Sequence, residues 1–598
     1  MVLVFGGTTE GRKAVEVLEA AGSPYYYSTR GDEQQVGLTH GVHLIGGMDL
    51  QEMSAFCKEH GIRLIIDAAH PFAENLHKNL VSLALRLDLP LIRFDRIYPP
   101  RSNDVVWCKD YLDAMRLMEE HGVGRLLALT GVNTIGKLKP FWSRHECWFR
   151  ILHRETSIGL ATQAGFPADH LVFYEEDATN TLIDQLHPDA LLTKESGVSG
   201  GFSQKVESAK TVGIKVYAVE RPAYPPLGVI PQDKTVTIDK VDGPFGLRRA
   251  VEKHLPEFYP LHSGLTTGTC ATAAAVAAAT ALLRKEKPDV VPVVLPDGET
   301  ILVAVSYGDG FAYVVKPGGD DPDVTNGLEV RATVSRLEGG NPQEVVIKGG
   351  VGVGTFTLPG FDYPPGEPAI NKSPRQMIRD NLAAFDTPLQ VVVAVPEGVE
   401  IARRTFNPRL GIVGGISIIG VSGIVMPFSE DAFIESIRKC LQVAKASGAP
   451  RVVINSGAKS ERFIRFRYPD LPQQAFVEYG NYIGETLKMA DELGVEKVSL
   501  GIMLGKAVKL AAGQLDTHSR RGTMDKAFVA QMLEEAGCTV DVTDLTLARE
   551  LWNIIPEEKI PDFCKVVITH CREHCASVVN DCELTILLIG EKGEIYEW

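Results

Sequence analysis

The sequence predicts a multidomain α/β protein: two Rossmann-like halves, then an α+β region, then a C-terminal α/β unit. Three observations lead there. The 598 residues exceed what one hydrophobic core usually serves. Short β-rich runs alternate with amphipathic stretches over roughly the first 250 residues, the pattern of parallel strands joined by crossover helices. That rhythm stops at a proline-bracketed link and returns only from about Ala432.

Val2 to Phe5 reads as the first strand, and Ala14, Val17, Leu18 and Ala21 then fall at helical spacing. Pro24 to Ser28 is the second strand and Leu64 to Ala68 the fourth, which completes a first half over 1–102. The rhythm restarts near Asn103, with strands at Leu126 to Thr130, Trp148 to Leu152, Leu171 to Tyr174, Ala190 to Thr193 and Val216 to Val219. Residues 103–254 are therefore a second half, with a cleft between the two. Pro256 and Pro260 bracket a link at 255–261, expected to join two independently folding parts. In the α+β region, 261–430, an alanine-rich helix runs from Cys270 to Leu283, and Asp297-Gly298 and Asp309-Gly310 are hairpin signals. Gly411 to Phe428 is uncharged, but its five glycines favour a buried loop-and-strand segment over a membrane span. Residues 431–598 form the last unit, with strands at Arg451 to Asn455 and Lys497 to Gly501.

Hydrophobic residues at 44% and charged residues at 23% describe a folded chain. Sixty-one Lys and Arg against 76 Asp and Glu leave a net charge of −15, which argues against a general nucleic-acid binder. An anionic ligand needs a local basic pocket. The N-terminus lacks the basic start and long apolar run of a secretory signal, and ten cysteines are sparse, so a reduced, cytoplasmic protein is expected.

Gly6-Gly7-Thr8-Thr9-Glu10-Gly11-Arg12 lies between the first strand and the first helix, where backbone N–H groups and the helix dipole suit a pyrophosphate. Arg30, at the end of the second strand, favours a 2′-phosphate and hence NADPH over NADH. His70, in Asp67-Ala68-Ala69-His70-Pro71-Phe72-Ala73, is placed at the cleft rim as proton donor or ligand contact, beside the alternative of a helix-start histidine satisfying the backbone. Lys194-Glu195-Ser196-Gly197-Val198-Ser199-Gly200-Gly201 is the equivalent turn of the second half. Lys194 is a catalytic candidate there, and Ser196, Gly200, Gly201 and Lys205 are substrate-binding candidates.

These motifs, with Leu129-Thr130-Gly131 and Glu220-Arg221-Pro222, resemble the precorrin-6A reductase family of corrin biosynthesis over about 1–253. The resemblance implies reduction of one macrocycle double bond by a nicotinamide cofactor held between two Rossmann-like halves, without flavin or metal.

The second region has its own motifs. Thr267 and Thr269, in Thr266-Thr267-Gly268-Thr269-Cys270, open the alanine helix and offer hydroxyl and N–H groups to an anion. Asp320-Asp321-Pro322-Asp323-Val324-Thr325 reads as a solvated turn, with metal binding as the alternative. Arg409, in Asn407-Pro408-Arg409-Leu410-Gly411, is a substrate contact. Gly457 after one strand, and Glu478, Gly480 and Asn481 after another, suit close nucleotide approach and a carboxylate-ribose hydrogen bond. Lys506 is a substrate contact and His518, in Asp516-Thr517-His518-Ser519, a catalytic candidate. His570-Cys571 and His574-Cys575 form one local run that is incomplete as a zinc site unless Cys564 or Cys582 joins it, so ordinary buried cysteines and no metal are expected, with a structural metal as the alternative.

Five motifs, LTTGTCATAAA, DPDVT, NPRLGIVGGIS, EYGNYIG and GKAVKLAAGQLDTHS, resemble the CbiD family of cobalt-precorrin-5B (C-1)-methyltransferases over about 261–598. Asn326 and Lys372 depart from that family's pattern. Together the two resemblances imply a bifunctional enzyme. One half uses S-adenosylmethionine to convert cobalt-precorrin-5B to cobalt-precorrin-6A, and the other uses NADPH or NADH to reduce that product to cobalt-precorrin-6B. The expected partners are these small molecules, with no nucleic acid or membrane and with homo-oligomerisation open. A non-catalytic tetrapyrrole carrier or sensor, and an unrelated oxidoreductase with a structural C-terminal half, are the alternatives.

Overall fold

In the computed structural model the described residues are 1–598 except 33, 176–178, 227–234 and 519–523. The chain divides into two compact units, Met1–His262 with Asp297–Leu302, and Ser263–Pro296 with Val303–Trp598.

The first unit holds two six-stranded sheets. Strands β1 (Val2–Phe5), β2 (Tyr25–Thr29), β3 (Gly41–Ile45), β4 (Leu64–Asp67) and β5 (Leu91–Phe94) build one. The other contains β6 (Val105–Cys108), β7 (Arg125–Ala128), β8 (Glu146–Ile151), β9 (Leu171–Phe173), β10 (Ala190–Lys194) and β11 (Lys215–Val219). A last strand, β12 (Ile238–Val241), returns to the first sheet, whose order is β12-β5-β4-β1-β2-β3; the second runs β6-β11-β10-β7-β8-β9. All pairings within these two sheets are parallel. Their central strands, β1, β4 and β7 among them, are nearly continuous apolar runs because helices cover both faces. Helix Thr9–Glu19 starts where the Thr8 side chain accepts from Gly11 N, and it buries Ala14, Val15 and Leu18.

This path alters two expectations. β12 and helix Pro244–His254 fall within 103–254, yet they complete the first half, where Leu247 and Val251 join the core of β1 and β4. The stretch at 255–261 is not a free tether either. Leu255, Phe258 and Tyr259 are buried in that core, the Tyr259 hydroxyl donates to Val17 O at 2.9 Å, and Ser23 Oγ donates to Phe258 O at 2.6 Å. The two prolines end a helix without releasing the chain. The segment Asp297–Leu302 also groups with the first unit, so a cut at 255–261 removes part of it. Its Glu299 carboxylate accepts from Phe245 N at 3.1 Å and from Gly246 N, at the start of helix Pro244–His254.

In the second unit, the alanine-rich helix Thr267–Leu283 is buried along nearly its whole length. Alanine suits it, since short side chains let the helix approach a sheet closely. That sheet, Ser306–Tyr307, Ala312–Val315, Glu329–Arg336, Leu389–Ala394 and Val345–Gly349 in spatial order, alternates buried and outward residues. A second five-stranded sheet runs Phe476–Glu478, Val452–Asn455, Lys497–Met503, Glu583–Ile589 and Ile595–Glu597, parallel except for the last pair. The glycine-rich run 411–428 is only half-buried. Ile412, Ile416, Ile418 and Ile424 point inward, whereas Val421 is 74% and Phe428 67% exposed. No helix among the described residues is long and apolar enough to cross a membrane.

Candidate functional site

The Gly6–Arg12 turn lies at the carboxyl end of β1, in the centre of the first sheet, where open α/β folds bind ligands. Tyr27 shapes it from below. A Cβ on Gly6 would lie 2.3 Å from the Tyr27 ring, and one on Gly11 2.7 Å from its hydroxyl. That hydroxyl accepts from Gly7 N at 3.0 Å and donates to Gln34 Oε1, while Gln34 Nε2 donates to Thr8 O at 2.7 Å. Gly7, at φ +90°, faces open space. First-turn N–H groups have no acceptor within their own helix. Thr8 Oγ1 takes that of Gly11 and donates to Ala68 O at 2.7 Å, which leaves Thr9 and Glu10 N–H available at the turn. Arg12 lies beside Thr9, with Nη2 to Oγ1 at 3.4 Å, and Arg30 is exposed just past β2.

Three predicted loops meet here. Arg96 Nε donates to Glu10 Oε2 at 3.0 Å and its Nη1 to Ser196 O at 2.7 Å, while Ser199 Oγ donates to Glu10 Oε1. Glu10, a buried residue within the first glycine motif, thus ties that motif to ESGVSGG. Sequence reading missed this pair, since Arg96 carries no motif signal.

His70 sits beside this junction. Phe72 N donates to its Nδ1 at 3.2 Å, so the ring proton lies on Nε2. Burial, with Arg96 and Lys194 nearby, pushes its pKa down to about 3. His70 is therefore a neutral hydrogen-bond donor and not an imidazolium acid. His77 places it from behind: its Nε2 lies 3.1 Å from His70 O, and its Nδ1 2.7 Å from the fully buried Asp67. Arg93 completes the group with Nη1 donating to Asp67 Oδ1 and Ala69 O, each at 3.0 Å.

Lys194 ends β10 and Lys205 lies on helix Phe202–Thr211 behind the loop. Burial pushes both ammoniums down to about 8. Lys205 Nζ donates to Gly200 O at 2.7 Å, and a Cβ on Gly200 would strike Ser196 and Arg96. Gly201, at φ +65°, caps the helix. Ser196, Gly200 and Gly201 are thus largely occupied in shaping the loop.

The second unit has a comparable crevice. Gly457, at φ +135°, follows strand Val452–Asn455, and a Cβ there would lie 3.0 Å from Glu478 Oε1. Burial raises the Glu478 pKa against the opposing pull of Arg409. Gly480 has φ +58° and Phe433 packs against its open side. Lys506 Nζ donates to Gly480 O, and burial lowers its pKa to about 8. Thr517 N donates to Asn481 O at 3.0 Å, and His518 N to Asp516 Oδ1 at 3.0 Å, so the loop carrying His518 adjoins the same strand end. Ser519 lies outside the described residues.

Three predicted contacts are otherwise engaged. Thr267 Oγ1 donates to Ile419 O at 3.2 Å and accepts from Ile419 N, and Thr269 Oγ1 donates to Gly423 O at 2.6 Å. Gly268 N also donates to Ile419 O, so carbonyls of the glycine-rich loop fill this helix start in place of an external anion. Arg409 Nη1 donates to the buried Glu461 Oε2 at 2.8 Å, which makes it a strut between its loop and the crevice. Asp323 pairs with Lys316 at 2.7 Å and accepts from Thr325. Cys564, Cys571 and Cys575 are core residues. No group of three or more metal-ligating side chains occurs among the described residues.

Residues 256–427 match the CbiD family, 516–598 its C-terminal domain, and 1–241 the precorrin-6x reductase CbiJ/CobK family. A cobalt-precorrin-5B C(1)-methyltransferase of Prosthecochloris aestuarii is 42% identical over 331 residues, which span 53% of this chain and 90% of that protein. The chain belongs to the CbiD family. Its first 241 residues carry a CbiJ/CobK reductase region in addition. A Geobacillus relative of the same name is 40% identical, covering 54% of this chain and 90% of its own. Among solved structures, CbiD of Archaeoglobus fulgidus is 33% identical, covering 44% of this chain and 83% of its own at a TM-score of 0.26. CobK precorrin-6A reductase is 20% identical, covering 42% and 97% at 0.35.

Proposed function

We propose that this chain carries two consecutive activities of cobalamin biosynthesis: C-1 methylation of cobalt-precorrin-5B, then reduction of the resulting cobalt-precorrin-6A to cobalt-precorrin-6B. The observation that carries the reading is the coexistence of a CbiD match and a CbiJ/CobK match in one chain, each over a unit with a glycine-lined strand-end crevice.

In the first unit, the Gly6–Arg12 turn fits a dinucleotide phosphate, with Gly7 open to approach and N–H groups at a helix start. Arg30 stands where a 2′-phosphate would be read. A bound nicotinamide cofactor supplies the hydride. The protein's own part is orientation: His70 Nε2–H donates to the ring system beside the reacting carbon, and Lys194 delivers or stabilises the proton there. In the second unit, Gly457 admits the nucleoside, Glu478 accepts from ribose hydroxyls, and Gly480 and Asn481 shape the floor. S-adenosylmethionine supplies the methyl on a sulfonium. Lys506 and His518 lie at the rim, where substrate orientation and water exclusion lower the barrier.

The test is anaerobic incubation of the full chain with cobalt-precorrin-5B and S-adenosylmethionine, then NADPH or NADH, followed by mass spectrometry. Gain of one methyl group and then of two hydrogens is expected. Binding without any mass change would return the chain to the carrier reading.

A further inference from the structure

The start of helix Pro244–His254 is capped by a residue far away in the sequence. Its N-cap is Gly243, which brings no side-chain oxygen, and Pro244 follows with no N–H of its own. Leu247 N is the first to find an acceptor in the same helix, Gly243 O at 3.1 Å, which leaves the N–H groups of Phe245 and Gly246 to be satisfied from outside. Glu299 accepts both, Oε2 from Phe245 N at 3.1 Å and Oε1 from Gly246 N. A Cβ on Gly243 would lie 2.2 Å from Glu299 Cδ, so the distant carboxylate leaves no room for a local capping side chain. The next residue ties the two segments again, with Thr300 N donating to Asp242 Oδ1 at 2.7 Å.

Two routes lead from this cap to the Gly6–Arg12 turn. Helix Pro244–His254 puts Leu247 and Val251 into one core with Ala14, Val15 and Leu18 of helix Thr9–Glu19, whose first turn is the proposed phosphate seat. On the other side, a Cβ on Gly298 would lie 3.9 Å from Ile97 Cδ1. Ile97 adjoins Arg96, which donates to Glu10 of the glycine motif and to Ser196 O of the second loop, and Ile97 O itself accepts from Val198 N at 2.9 Å. Residues 297–300 therefore brace both the helix behind the turn and the segment that ties the turn to ESGVSGG.

We propose that Glu299 is a positioning residue for the nicotinamide cofactor, acting through helix Pro244–His254 on the turn that receives the phosphates. This rests on the reductase reading of the first unit. The CbiJ/CobK match ends at residue 241, and Glu299 lies within the CbiD match, yet Asp297–Leu302 is part of the first compact unit. A residue of the methyltransferase sequence thus completes the reductase. A carboxyl placed here for stability alone would be a poor choice. Glu299 is 1% exposed, and burial, with Asp297 and Asp242 nearby, works against its charge. What the carboxyl provides is direction, since two N–H bonds from consecutive residues fix where the helix begins.

The experiment uses the full chain with Glu299→Asp, which keeps the charge but is one methylene too short to reach both N–H groups, and Glu299→Gln, which keeps the length and an acceptor oxygen. Calorimetry reads NADPH and S-adenosylmethionine affinity, anaerobic kinetics reads KM for NADPH and kcat for cobalt-precorrin-6A reduction, and hydrogen exchange with mass spectrometry reads residues 6–12 and 243–247. In Glu299→Asp we expect NADPH to bind about fivefold more weakly, KM for NADPH to rise by the same factor with kcat within twofold, and exchange to quicken in both segments. Glu299→Gln should recover most of the loss, and S-adenosylmethionine affinity should hold in both variants. A merely structural cap would quicken exchange at 243–247 alone and leave NADPH affinity and KM within twofold of wild type, and that result overturns the proposal. A wild-type chain that binds no NADPH overturns the reductase reading. Faster exchange at 6–12 in Glu299→Asp then still reports the brace, and unchanged exchange there overturns the brace as well.

Discussion

Replacing Glu478 by Gln tests the nucleoside crevice most directly, because it keeps the side chain's shape and removes its charge. The carboxylate lies 3.0 Å from the place a Gly457 Cβ would take, so it lines the space proposed above for the nucleoside. Hydrogen bonds to a charged group contribute about 1.5–3 kcal/mol, and about 1.4 kcal/mol is tenfold in affinity. Calorimetric titration at pH 7.5 should therefore show S-adenosylmethionine binding roughly 10- to 150-fold more weakly in Glu478→Gln. A second signature follows from burial, which holds the Glu478 pKa above its ordinary value. The carboxylate is lost as pH falls through that raised value. Wild-type affinity should therefore decline on acidification at a higher pH than a free glutamate would dictate, and the Gln variant should stay flat across the same range. Gly457→Ala should mimic the loss, since its φ of +135° disfavours any side chain. A Gln variant with wild-type affinity and pH profile would falsify the assignment of Glu478 to the nucleoside.

Three further outcomes are expected. Gly6→Ala places a methyl group against the Tyr27 ring, and it should abolish NADPH binding by calorimetry while methyl transfer persists. Asp67→Ala strips His77 of its carboxylate and leaves the buried Arg93 with Asp95 alone, at 3.2 Å, and should destabilise the first unit by about 3 kcal/mol in urea unfolding followed by hydrogen exchange. Burial raises the Glu299 pKa from its ordinary 4.5 to about 7, so the folded state binds this proton more tightly than the unfolded chain does. Its stabilisation, up to about 3 kcal/mol, is complete below pH 4.5 and disappears as pH rises to about 7. Glu299→Gln should flatten that part of the stability-pH curve, as thermal unfolding between pH 5 and 8 would show.

Much was legible before folding. Alternating apolar runs and helical spacing identify the two Rossmann-like halves, since a parallel sheet covered on both faces admits little else. Glycines after the first strand and at Gly457 mark places where backbone must approach a neighbour or adopt positive φ, and such requirements are written in the residue itself. Motif order identifies both families for the same reason.

What tertiary structure decided is where partners come from. Nothing local in Pro244–His254 says that it packs beside the first strand and not in the second half, because an amphipathic helix fits either core. Thr267, Thr269 and Arg409 carry the right chemistry for a ligand, yet Ile419, Gly423 and Glu461 reach them first, over separations of 52 to 154 residues. The hydrogen-bonding capacity of a side chain is fixed by its type. Whether that capacity is spent inside the protein or left for a ligand depends on which distant group the fold brings within 3 Å, and for Glu10, His70 and Glu299 only the assembled fold determines it.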